Sequence, residues 1–87
     1  MRIRDGFMMR RIAGVDVVVP AGEGGINFNG IITLSQTAAF LFQRLREETS
    51  QEELLSKLLC EYEVDEQAAR ADIQAFLTKL TEADLLA

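Results

Sequence analysis

The apolar residues of this chain change their period at Ser35. From Phe7 to Leu34 they fall in short runs rich in β-branched side chains and broken by glycine, the pattern of antiparallel strands joined by turns. Beyond Ser35 they recur every three to four residues, the pattern of amphipathic helices. Charge divides at the same place: residues 1–34 carry four basic and three acidic groups, a net +1, and residues 35–87 carry five and eleven, a net −6. Such an order predicts an N-terminal antiparallel sheet of about three short strands followed by three helices, an α+β fold with winged-helix-like topology. With 87 residues there is room for one core, so residues 1–87 are expected to form a single domain, a β-hairpin region over 1–34 and a three-helix region over 35–87.

Within the first half, strands are expected near Phe7 to Ile12 and Val15 to Pro20, joined at Ala13-Gly14, where glycine supplies the positive φ of a two-residue turn. Residues 21–25 read as a glycine-rich loop, and an extended segment follows from Ile26 to Leu34. Asn29-Gly30 interrupts it, either as a tight turn, the slightly favoured reading, or as a bulge. The first helix is predicted from Gln36 to about Glu47, capped by Ser35, with Ala38, Leu41, Phe42 and Leu45 on one face and Phe40 nearly opposite, where the sheet is expected to cover it. The second follows the capping box Ser50-Gln-Glu-Glu53 and aligns Leu54, Leu55, Leu58, Leu59 and Tyr62. The third starts after Asp65 and runs to about Ala83, burying Ala69, Ile73, Phe76, Leu77 and Leu80, and Leu85 and Leu86 fold back after it.

The residue inventory removes most chemistry. One cysteine and no histidine exclude a disulfide framework, a Cys/His zinc site and a cysteine-ligated cluster within this chain, and deprive a nucleophile of its usual base. No catalytic residue, metal ligand or cofactor loop is assigned: the acidic pairs sit at helix ends, and Gly22, Gly24 and Gly25 lack the spacing and following helix of a phosphate cradle. Cys60 falls opposite the leucine face of its helix and is expected to be exposed. The absence of a signal peptide or a membrane-spanning run points to the cytoplasm.

A winged-helix DNA-binding regulator is the competing reading, since three helices and a hairpin are its parts. The third helix, however, sets Arg70 and Lys79 against Glu66, Asp72 and Glu82, a balance that repels phosphates, so no nucleic-acid partner is expected. Arg2, Arg4, Arg10 and Arg11 form the basic cluster, read either as a solvated strand edge or as a dock for an acidic peptide or partner. Ala68, Ala71 and Ala75 form a stripe of small side chains beside the core face of the third helix, next to Asp72 and Lys79.

The run from Ile31 to Phe42 (IITLSQTAAFLF), with Leu45, Thr49, Glu53-Leu54, the stretch Glu61 to Asp65, Ala69 with Asp72, and Leu80 followed by Leu85-Leu86, resembles the PqqD family and related precursor-peptide recognition elements over nearly the whole chain. Ser35 stands where that family usually has asparagine, Phe42 where it often has tryptophan, and Asp84 where glycine commonly ends the last helix; each replacement keeps the local role of capping, filling or adopting αL. The resemblance implies a peptide chaperone that binds the leader segment of a ribosomally made precursor and presents it to a modifying enzyme of natural product biosynthesis, often a radical S-adenosylmethionine enzyme. It also implies that the leader adds as a strand to the edge at Phe28, Ile31, Ile32, Thr33 and Leu34, against Asp72, Ile73, Phe76, Lys79 and Leu80 of the third helix. Which flank of that helix faces the peptide, and whether the chain forms a homodimer, stay open.

Overall fold

The computed structural model describes residues 1–20 and 32–87. Strands β1 (Phe7–Ile12) and β2 (Val15–Pro20) form the expected hairpin, in register from Phe7 opposite Pro20 to Ile12 opposite Val15. Its turn holds Ala13 at φ 52° as well as Gly14 at φ 80°, so the left-handed demand falls on alanine too. Strand β3 (Ile32–Leu34) pairs antiparallel with β2, with Asp16 opposite Leu34 and Val18 opposite Ile32, giving the sheet order β1-β2-β3. The extended segment expected from Ile26, its Asn29-Gly30 turn or bulge and the glycine loop of residues 21–25 lie outside the described residues.

Alternation brings Met9, Val18 and Ile32 together on one face of the sheet, and that face packs on the hydrophobic core. At its rim, Arg11 and Asp16 are cross-strand partners joined by two hydrogen bonds, Nε to Oδ1 at 3.1 Å and Nη2 to Oδ2 at 3.3 Å. First the bond to Asp16 and then its charge hold the Arg11 guanidinium above its ordinary value.

Helices α1 (Gln36–Arg44), α2 (Gln51–Glu61) and α3 (Glu66–Glu82) follow in order. Each is capped as its sequence predicts: Ser35, Ser50 and Asp65 accept from the backbone N–H three residues on, at 3.1, 3.2 and 3.1 Å. The Ser50–Glu53 box forms only by half, because the Glu53 carboxylate accepts the Thr49 and Ser50 hydroxyls rather than a backbone N–H. Helix α1 stops three residues before the expected Glu47: the carbonyl of Leu45 accepts from the N–H of Ile3 at 2.8 Å, and Arg46 turns back to Gln43. Of its alanines, Ala39 is buried and Ala38 half-buried. Phe40 is half-buried: Tyr62 meets it edge-on with ring centroids 5.5 Å apart, and the Arg44 guanidinium lies 5.2 Å from its centroid.

Phe42, Leu45, Leu54, Leu58, Ile73, Leu80 and Leu85 fill the centre of the core, and Cys60 is exposed. The folded-back tail carries an additional strand-like contact, a bridge between Ile3 and Leu86. The N-terminal segment is thereby clamped on two sides. Thr49 donates to the carbonyl of Met1 at 3.0 Å, Arg4 donates to the carbonyl of Leu85 at 2.7 Å, and Ala87 donates to that of Arg2 at 2.9 Å. Among the described residues no helix is long and apolar enough to cross a membrane.

Candidate functional site

Asp72, Ala75, Phe76 and Lys79 follow the i, i+3, i+4, i+7 spacing, which aligns them along one flank of α3. Facing them are the cap and first turns of α1, with Ser35, Thr37, Ala38 and Leu41. Between the two walls runs an open groove of about 260 Å³. It begins where the sheet ends, since Ser35 directly follows β3. The buried rings and chains of Phe76 and Leu41 underlie it, and the small side chains of Ala38 and Ala75 leave space for a main chain to approach.

Eight of the ten expected contact residues divide among three places. Ile32 is half-buried and Thr33 exposed on β3, whose second edge has no strand partner among the described residues. Asp72, Phe76 and Lys79 line the groove. Leu34, Ile73 and Leu80 lie in the core, the last two at 1% and 0% exposure, so they support the groove from behind and present no surface to it. Phe28 and Ile31 lie outside the described residues. The sequence pattern does not reveal the α1 wall: there Ser35 reads as a cap, Thr37 carries no distinguishing signal, and Ala38 and Leu41 belong to the core stripe. The alanine stripe on α3 was the available signal, and its member Ala75 is the one that lines the groove.

Electrostatics separate this flank from the rest of the helix. Arg70 binds Glu52 at 3.0 Å and Glu66 at 3.2 Å, and these hydrogen bonds, Glu52 first, raise its guanidinium above the usual value. Asp72 and Lys79 have no ion-pair partner among the described residues. The N-terminal basic cluster is mostly consumed internally: Arg2 pairs with Asp5, Arg4 with Asp84 and Arg11 with Asp16, while Arg10 has no ion pair among the described residues.

The family model described as coenzyme PQQ synthesis protein D (PqqD) matches residues 16–86. The chain belongs to the PqqD family. Two solved structures share this PqqD-family architecture. TbiB1, solved in complex with the TbiA(beta) leader peptide, superposes with a TM-score of 0.74 at 24% identity, over 99% of this chain and 94% of that one. A lasso peptide synthetase B1 complexed with the leader peptide superposes with a TM-score of 0.68 at 30% identity, over 93% and 89%. No curated protein is similar in sequence. None of these relatives supports the DNA-binding alternative, and in this PqqD-family chain Arg70 already has two carboxylates on it.

Proposed function

We propose that the chain is a non-catalytic peptide chaperone, a recognition element that binds the leader segment of a ribosomally made precursor and presents it to a separate modifying enzyme in the cytoplasm. The observation that carries this reading is the open groove at the end of the edge strand β3, walled by α1 and α3. The solved relatives support it, because both were captured with leader peptides. Strand addition fits the chemistry of that edge. Ordering an extended peptide costs about 1–2 kcal/mol per residue, and each backbone hydrogen bond returns only about 1 kcal/mol net, so pairing to β3 needs apolar anchors. Side chains seated over Phe76 provide them at roughly 25 cal/mol per Å² of buried apolar area.

The family resemblance makes a radical S-adenosylmethionine enzyme the expected partner; the 30% identity to a lasso peptide synthetase B1 favours a lasso peptide pathway as the second reading. The binding step is tested by calorimetry with the leader encoded by the neighbouring short open reading frame. Ala75 is exposed, so Ala75→Arg fills the groove and leaves the core intact. This variant and Thr33→Pro, which removes a backbone donor from β3, are each expected to weaken leader binding by at least about tenfold, roughly 1.4 kcal/mol. Wild-type affinity in both variants, with circular dichroism unchanged, overturns the assignment of the groove.

A further inference from the structure

We propose that Asp72 and Lys79 read the order of charges along a bound peptide whose direction is fixed by pairing to β3, and so set its register. This rests on the peptide-binding reading above and concerns which peptides the groove accepts. The two residues are seven apart on one helix flank, a separation of about 10.5 Å along the axis at 1.5 Å per residue. They are the charged groups among the residues lining the groove, one at each end, with Ala75 and Phe76 between them; the α1 wall contributes Ser35, Thr37, Ala38 and Leu41, all uncharged.

Their lack of internal partners distinguishes them from Arg70 on the same helix, which two glutamates hold. An extended chain laid in the groove repeats its side chains on one face every two residues, about 6.6 Å, so positions i and i+4 stand about 13 Å apart. The flexible stem of Lys79 spans the difference. The fitting occupant therefore carries a cationic side chain opposite Asp72, an apolar one two residues along above Phe76, and an anionic one a further two residues along opposite Lys79. A peptide with the charges reversed meets like charge at both ends. Discrimination of this kind comes from repulsion of the wrong occupant as much as from attraction of the right one.

The test uses a displayed library of random twelve-residue peptides, selected against the full chain and against the doubly substituted Asp72→Lys/Lys79→Asp chain. Both positions are exposed, so the fold is retained, and circular dichroism checks it. Expected is enrichment of peptides with opposite charges four residues apart around an apolar residue, and of the reversed order on the swapped chain. A peptide selected on the wild type should bind the swapped chain about tenfold more weakly, two surface ion pairs turned to repulsions, and its charge-reversed version should regain that loss. If both chains enrich the same peptides whatever their charge, the charge-reading role is overturned while the groove stands. If neither chain enriches any peptide, or Ala75→Arg binds the selected peptides as well as the wild type does, the peptide-binding reading fails and takes this one with it.

Discussion

Ala13 and Asp84 hold φ at 52° and 59°, a left-handed conformation that disfavours an L side chain by about 1–2 kcal/mol and that glycine or asparagine tolerates. At Asp84 the strain has a counterpart: its side chain and its carbonyl both accept from Arg4, at 2.6 and 3.1 Å. At Ala13 no such partner exists among the described residues, and the hairpin turn calls for positive φ at both central positions. Ala13→Asn is therefore expected to stabilise the protein by about 0.5–1 kcal/mol, seen as a rise of several degrees in Tm by thermal circular dichroism. Much at this scale was legible in the sequence. The three N-caps could be named because a cap depends on residues three positions apart. The Tyr62 contact on Phe40 could not, since Tyr62 follows α2, a different element, whereas Arg44 lies four residues on along the same helix.

Among the helices, α2 shows how local signals and tertiary contacts share control. Its start is set by Ser50, and Ser50→Ala is expected to cost about 1 kcal/mol in denaturant unfolding, because the N–H of Glu53 loses its acceptor. Glu53 contributes less to capping than the box motif suggests, since its carboxylate is engaged by the hydroxyls of Thr49 and Ser50. Helix α1 ends early for a reason absent from its own residues: the Leu45 carbonyl is taken by Ile3, more than forty positions away in sequence. Periodicity placed the core face of α3 correctly, with Ile73, Phe76, Leu77 and Leu80 all buried. That success also explains why two of the five expected contact residues on α3 proved to be core: a residue central to the apolar stripe is drawn inside, and the flank beside it is what remains for a partner.

For the whole molecule, the groove was half legible. Its α3 wall follows from residue types on one helix, whereas the α1 wall exists only because two helices distant in sequence lie alongside each other. The N-terminal segment is a second feature that no local pattern announces. Ile3 is 5% exposed and sits between the end of α1 and the C-terminal tail, so Ile3→Ala is expected to destabilise the protein by about 2–5 kcal/mol in guanidinium unfolding. The loss should exceed that of Ser50→Ala, because a cavity opens beneath the tail in addition to the transfer energy forgone. The same clamp leaves Arg2 and Ala87 hydrogen-bonded neighbours. A fold whose entry and exit meet at one point can be spliced into a surface loop of a larger enzyme, or cut open at a loop and rejoined end to end, without stretching its sheet or helices.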